Sequence, residues 1–257
     1  MEIWVAIVLG LVQGLTEFLP VSSSGHLLLF QKLFAIEDSP LLFDIILHIA
    51  TLTAVIIVFH KKIWQLIRKP FQKTTYCLLI ATAITCAMVL VVHFAGWTDA
   101  MRNYKILPIT FLITAIILFA VTFLPKKENS VGYKTGIIAG IAQGIAVIPG
   151  ISRSGATIAA SLATGVKREE AAEFAFLMSI PIIIASFVFE IISSPGDIAV
   201  MSFWPIAFGF VAALLSGILA IKIMLKIVQK IKLYWFSVYL VVLSIILIFV
   251  IYIFNVV

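Results

Sequence analysis

The sequence predicts an all-α integral membrane protein made of two inverted-topology repeats, each a re-entrant helical hairpin followed by three transmembrane helices. Three observations carry that expectation. The 257 residues are 63% hydrophobic and only 12% charged, where an ordinary soluble domain carries about 25% charged residues. Six stretches are long and apolar enough to cross about 30 Å of hydrocarbon as helices. A Gly-Ser pattern near the start of the chain returns at a constant offset of 130 residues.

Lipid is the natural solvent for a chain of mean hydropathy +1.19. The net charge of +6 does not point to nucleic acid, because the basic residues fall in short clusters between apolar runs, as in the cytoplasmic loops of membrane proteins. Cys77 and Cys86 share one apolar stretch and would lie about 13 Å apart on a helix, too far to bond, so both read as small apolar filler. No Lys or Arg precedes Lys32, so the N-terminus lacks the basic region of a cleavable signal and is expected to belong to the fold.

The six spans are expected at 41–60, 75–96, 106–124, 171–193, 203–226 and 234–256. Two further apolar regions, 3–36 and 136–165, are broken near their middles by Pro, Gly and Ser. Each half is too short to cross a bilayer, so each region is expected to enter and return on one side. If 41–60 runs inward, fourteen of the eighteen Lys and Arg residues lie inside, in clusters around Lys61–Lys73, Lys126–Lys134, Lys167–Arg168 and Lys222–Lys232. Lys32, Arg102 and Lys105 then lie outside and Arg153 within the membrane. This bias places both termini outside.

Gln13 and Gln143, Gly14 and Gly144, Ser22 and Ser152, Ser24 and Ser154, and Gly25 and Gly155 correspond at the offset of 130. Each broken region precedes three spans, and three is odd. The second repeat, 131–257, is therefore expected upside down relative to the first, 1–130, with the two hairpin tips meeting inside the membrane.

A Gly-Ser break before a helix presents backbone N–H groups and the positive end of the helix dipole, which together favour an anion. Ser22, Ser23, Ser24 and Gly25 stand at one such start, and Ser152, Arg153, Ser154 and Gly155 at the other. Such small residues also let membrane helices pack closely. A guanidinium inside a bilayer needs a partner, so Arg153 points to a bound phosphate, or to a salt bridge with Glu17. Glu17 lies one turn after Gln13 and is a candidate cation ligand or base, with Gln13 a weak second ligand. His26 follows Ser23 by three residues, a spacing that can bring imidazole and hydroxyl together as base and nucleophile, although a lone His at a helix start is also a common structural residue. Asp44, His48 and Glu190 fall near the outer ends of spans, where interfacial water accounts for them.

The runs from Gln13 to His26 and from Pro149 to Thr157 resemble the two signature motifs of bacterial undecaprenyl pyrophosphate phosphatases, the bacitracin-resistance family. The resemblance covers essentially the whole chain. It implies hydrolysis of undecaprenyl pyrophosphate to the monophosphate, which recycles the lipid carrier of envelope synthesis. It also implies a divalent cation, Mg²⁺ or Ca²⁺, and a pocket open to the outer side of the bacterial inner membrane. Glu17, Ser23, His26, Ser152, Arg153, Ser154 and Thr157 stand where that family's functional residues stand, while Gln13 takes the uncharged option at its position. The rival reading is a lipid-phosphate flippase or secondary transporter, since inverted repeats with broken helices also build transporters. The small-residue stripe Gly209, Ala213 and Gly217 leaves room for a homo-oligomer.

Overall fold

The computed structural model describes residues 1–36, 41–96, 103–125, 127–193, 202–230 and 233–253. Arg102, Lys126, Lys232 and the last residues of the predicted sixth span lie outside them. Among the described residues all regular structure is helical, apart from an isolated bridge between Asn129 and Val166. In chain order the helices are α1 (Ile3–Phe18), α2 (Ser23–Leu33), α3 (Leu41–Arg68), α4 (Lys73–Phe94), α5 (Leu107–Val121), α6 (Tyr133–Ile145), α7 (Arg153–Ala163), α8 (Arg168–Ser193), α9 (Phe203–Lys230) and α10 (Tyr234–Ile248).

Six segments are long and apolar enough to cross a membrane: Leu42–Arg68, Lys73–Phe94, Tyr104–Val121, Arg168–Phe189, Phe203–Gln229 and Tyr234–Tyr252. They overlie the six predicted spans, and the protein is a multi-pass membrane protein. The remaining helices are too short for that task, since even the 16 residues of α1 reach only about 24 Å. One boundary differs from expectation. The first span runs on to Arg68 after a local break at Phe59 (φ −101°, ψ 16°). Past the break the helix is amphipathic, with Ile63 and Leu66 against the core and Lys61, Lys62 and Arg68 beside them in sequence. Hydropathy alone stopped at the lysines.

Two helix pairs set the frame: α1 lies along α9, and α6 lies along α4. Lipid gives apolar helices no reason to leave it, so close approach through small residues has to supply the attraction. A Cβ on Gly14 would sit 2.8 Å from the Gly217 amide nitrogen, and one on Gly10 would sit 3.0 Å from the Ala212 Cβ. On the other pair, Cβ atoms on Gly136 and Gly140 would sit 2.8 Å from the Cys77 oxygen and the Ala81 Cα. The stripe of Gly209, Ala213 and Gly217 is thus occupied inside the chain: Ala213 is fully buried, and Gly209 and Gly217 face Ala6 and Phe18 of α1. The sequence argument for self-association from that stripe falls away. Between α3, α5 and α8, Phe18, Phe59, Phe111 and Phe176 close the centre of the molecule.

Gly14→Leu is expected to push α1 off α9. An overpacked core loses about 3 kcal/mol, so the unfolding midpoint in detergent should drop by roughly 10 °C. The lipid-facing Leu79→Ala serves as the comparison and should leave the midpoint nearly unchanged.

Candidate functional site

The loops before α2 and α7 end in the same cap. Ser22 Oγ accepts from the Gly25 N–H at 3.4 Å and Ser152 Oγ accepts from the Gly155 N–H at 3.1 Å. In each cap the serine hydroxyl also lies 3.3 Å from that of the serine two residues on, Ser24 and Ser154. Residues 130 apart thus make the same cap hydrogen bonds on different backbones, with φ +71° at Ser22 and −71° at Ser152. These caps satisfy N–H groups that a helix start otherwise leaves open.

Each tip is fastened from behind. Thr114 on α5 accepts from the Ser152 N–H and donates to the Gly150 oxygen, both at 3.0 Å. Gly150 has φ +90°, and a Cβ there would lie 2.8 Å from that of Thr110, so only glycine fits. On the first tip Ser22 itself has φ +71°, a conformation that costs a non-glycine residue of order 1 kcal/mol. Its carbonyl takes the His26 Nδ1–H at 2.8 Å. The tips touch, with Ser154 Oγ donating to the Leu19 oxygen at 3.0 Å.

Glu17 sits where they meet, its side chain 1% exposed. One carboxylate oxygen pairs with the Arg153 guanidinium, and the other accepts from the Ser23 hydroxyl. That second oxygen also accepts from Gln13 Nε2 at 3.0 Å. A cavity of about 230 Å³ opens over this cluster, lined by Glu17, Ser22, Ser23, Ser24, His48, Thr85, Gln143, Ser152, Arg153 and Ser186 among others. Its remaining walls include Ile45, Ile49, Val89, Ile182 and Phe187. It is an apolar pocket with a few convergent polar groups, the common form of a small-ligand site.

The structure thus brings Glu17, Ser22, Ser23, Ser152 and Arg153 onto one wall. It does not form the expected His26–Ser23 pair. The His26 ring turns away, with Nδ1 on the Ser22 carbonyl and Nε2 2.7 Å from the Tyr239 hydroxyl. The reason is local: a His four residues past the Ser22 carbonyl meets that carbonyl before it can reach back one turn to Ser23. Ser154 and Thr157 also lie behind the wall. The Ser154 hydroxyl is bound to Leu19, and the fully buried Thr157 donates to the Arg153 oxygen at 2.8 Å. Gly25 and Gly155 present their N–H groups to the capping serines, not to the cavity. Gln13 is fully buried and supports Glu17.

Sequence reasoning missed His48, which lines the cavity with its Nδ1 3.0 Å from the Gln13 amide and 3.9 Å from Glu17. The signal was available, since His48 stands seven residues into its helix, about 10 Å deep and already within hydrocarbon. Asp44 instead ties α3 to α2 by accepting from Gln31 Nε2 at 2.8 Å. The side chain of Glu190 lies outside the described set. Thr114 and Tyr239 carry no mark in the sequence.

Among the described residues no three His, Cys, Asp or Glu side chains gather as a metal site. The groups at the cavity that could ligate are one carboxylate, the His48 imidazole, several hydroxyls, and the amide oxygen of Gln143, which is buried without a hydrogen-bond partner. That oxygen-rich, single-carboxylate set fits a hard cation whose shell is completed by water and substrate phosphate, as Mg²⁺ prefers.

Fold and site together define a polytopic membrane protein with a serine hydroxyl, its carboxylate partner and a guanidinium gathered at one buried cavity. The chain belongs to the bacitracin resistance protein BacA family, which it matches over residues 6–246. It is 42% identical to the undecaprenyl-diphosphatase of Treponema denticola across 94% of both chains. It is 41% identical to that of Carboxydothermus hydrogenoformans over 91% of this chain and 92% of the relative. With that of Christiangramia forsetii it shares 37% over 93% and 94%.

Removing one partner of a buried ion pair leaves the other uncompensated and costs roughly 3 kcal/mol. Glu17→Gln should therefore lower thermal stability in detergent by about that amount, and adding Arg153→Met should recover part of the loss. A Glu17→Gln protein as stable as the parent would show that the pair carries no such weight.

Proposed function

We propose that this chain hydrolyses undecaprenyl pyrophosphate to undecaprenyl phosphate and inorganic phosphate, recycling the lipid carrier of peptidoglycan and other envelope polymers. The family and its curated relatives support this reading. The observation that carries the chemistry is the Ser23 hydroxyl donating to a carboxylate that also holds Arg153.

The terminal phosphate enters the cavity while the polyprenyl tail stays in lipid. Arg153 has five N–H donors, and those not taken by Glu17 are free in direction to grip phosphate oxygens in its planar, two-point manner. Ser23 Oγ attacks the terminal phosphorus, its proton passes to Glu17, and the bond to the bridging oxygen breaks as undecaprenyl phosphate leaves. Water then attacks the phosphoseryl group, with Glu17 again placed to manage the proton. Ser23 regains its proton and inorganic phosphate departs. His26 has no place in this transfer as base, since Glu17 already holds the Ser23 hydroxyl. A divalent cation, Mg²⁺ or Ca²⁺, would be held by Glu17 with cavity hydroxyls and the Gln143 amide oxygen, and would offset charge building on the phosphate oxygens; Gln13 turns its Nε2 to Glu17 and is no ligand.

The arrangement in the bilayer belongs to the same reading. The chain forms two inverted repeats, 1–130 and 131–257, and each short helix pair, α1–α2 and α6–α7, enters and leaves on one side. The partner swap, α1 on α9 and α6 on α4, supports it, because an in-plane two-fold axis would exchange those two contacts. The cavity's mouth then opens on the outer side of a bacterial inner membrane, a reading that the basic clusters support.

Purified protein should release phosphate from a polyprenyl pyrophosphate and stop when a chelator is added. Ser23→Ala should lower kcat at least roughly a thousandfold while still binding substrate, because the hydroxyl acts in the transition state. Arg153→Lys keeps the charge and loses the fork, so kcat/KM should fall roughly a hundredfold. Near-normal release by Ser23→Ala would replace the covalent route with direct attack by water. If the parent released no phosphate with any divalent ion, the flippase reading would take its place.

Orientation is checked by labelling. In a background lacking Cys77 and Cys86, single cysteines at the exposed positions Asn103 and Ser202 should react with an impermeant thiol reagent from outside. Those at Lys69 and Lys127 should react only after lysis. The reverse pattern would overturn both the orientation and the inverted repeat.

A further inference from the structure

We propose that Tyr239 is a positioning residue for the phosphate site: its hydroxyl holds His26, and His26 in turn holds the strained Ser22 turn that aims Ser23. The inference rests on Ser23 acting as the nucleophile.

The chain of contacts is continuous. The Ser22 carbonyl is an acceptor only, so the His26 Nδ1 facing it at 2.8 Å must carry a hydrogen whatever the charge on the ring. The same carbonyl receives the His26 backbone N–H at 3.2 Å. Two donors from one residue thus hold the carbonyl of a serine at φ +71°, the residue immediately before Ser23. The other ring nitrogen, Nε2, meets the Tyr239 hydroxyl at 2.7 Å. In the neutral ring Nε2 is an acceptor, so Tyr239 donates to it and fixes the Nδ1–H tautomer. His26 is 4% exposed, with the rings of Phe111 and Tyr239 beside it at centroid distances of 5.3 and 5.8 Å. Both nitrogens are therefore committed. An imidazole so placed acts as a strut.

Tyr239 itself is an unusual strut. It is half-exposed on α10, among valines at 238, 241 and 242 that line an apolar surface groove against α5. Tyr234 and Trp235 at the start of that helix have ring centroids 4.8 Å apart at a tilt of 52° and stand where aromatic residues anchor a helix at the membrane interface. Tyr239 lies more than one turn deeper and turns its hydroxyl inward to a polar group of the first motif. A tyrosine serving only the interface would point its hydroxyl to the headgroups. Helix α10 is held to α5 by Ser237 Oγ donating to the Ala115 oxygen at 2.7 Å, and α5 also clasps the second tip through Thr114. One pair of packed helices thus braces both tips.

Tyr239→Phe keeps the ring and removes the hydroxyl. It should lower kcat about tenfold, one hydrogen bond's effect on alignment. KM should hold, because Arg153 is untouched. If Tyr239 acts through His26, the loss should vanish in a His26→Gln background, so that the double variant is no slower than His26→Gln alone. Independently of activity, ¹⁵N NMR of ring-labelled histidine in the unsubstituted protein should show His26 protonated at Nδ1 and unprotonated at Nε2, and Tyr239→Phe should shift the Nε2 signal. A Tyr239→Phe enzyme with parental kcat, losses that add across the two positions, a change in KM alone, or a neutral ring protonated at Nε2 would each overturn the proposal. Failure of the unsubstituted protein to release phosphate would instead strike the proposed reaction, and the NMR result would still decide the role of Tyr239 toward His26.

Discussion

The ion pair between Glu17 and Arg153 is the constraint on which the rest of the site depends. Each partner comes from a different sequence motif, and each would be prohibitively placed alone inside a chain that is 63% hydrophobic. A guanidinium at the centre of a membrane helix costs at least about 2.5 kcal/mol on insertion scales. The two charges therefore have to be brought together, and the end of α1 and the start of α7 are the segments that do so. Everything that fixes those two ends contributes to keeping both charges compensated.

The fixing is done by close backbone approach and by neutral polar groups, because lipid supplies neither hydrophobic pressure nor competing water. Gly10 and Gly14 set α1 on α9, while Gly136 and Gly140 set α6 on α4. Hydroxyls then finish the placement: Ser22 and Ser152 cap the tips, Thr114 clasps one from α5, and Ser154 joins one to the other. None of these groups touches a substrate in the proposed mechanism. They make the polar cluster rigid, so that the hydroxyl of Ser23 faces a carboxylate before any ligand arrives.

The sequence made the coarse architecture legible because apolar length and the 130-residue offset are properties of the chain itself. All six spans fell where hydropathy placed them, with the first extended past its lysines by an amphipathic turn. The core of the site was legible for a related reason: Glu17 and Arg153 are charges in apolar surroundings, and each had to have a partner. What escaped were contacts decided by direction. The spacing of Ser23 and His26 allowed their side chains to meet, yet the nearer Ser22 carbonyl captured the imidazole. His48 was set aside as interfacial although its depth said otherwise. Thr114 and Tyr239 are ordinary residues in ordinary spans, and only the packing of α5 and α10 against the tips gives them a task. Thr157, matched by motif, turned out to bind its own helix.

On the proposed reading, the repeat also explains how two similar serine caps can serve two halves of a phosphoryl transfer. Ser23 and Arg153 correspond at the offset of 130, and each is the first residue of its helix, directly after a capping serine. A helix start of this kind carries partial positive charge and suits an approaching anion whichever residue stands there. With a hydroxyl at that position in one copy and a guanidinium in the other, the two helix starts in the proposed mechanism present a nucleophile from one side and an electrostatic grip from the other. The equivalents of Glu17 and His26 in the second copy are Val147 and Ala156, so the proton-handling carboxylate and the imidazole strut exist only beside the hydroxyl. In the proposed mechanism the division of labour therefore follows from the differing residues at registers 17, 23 and 26, beside two serine caps that share their hydrogen bonds but not their backbone, with φ +71° at Ser22 and −71° at Ser152.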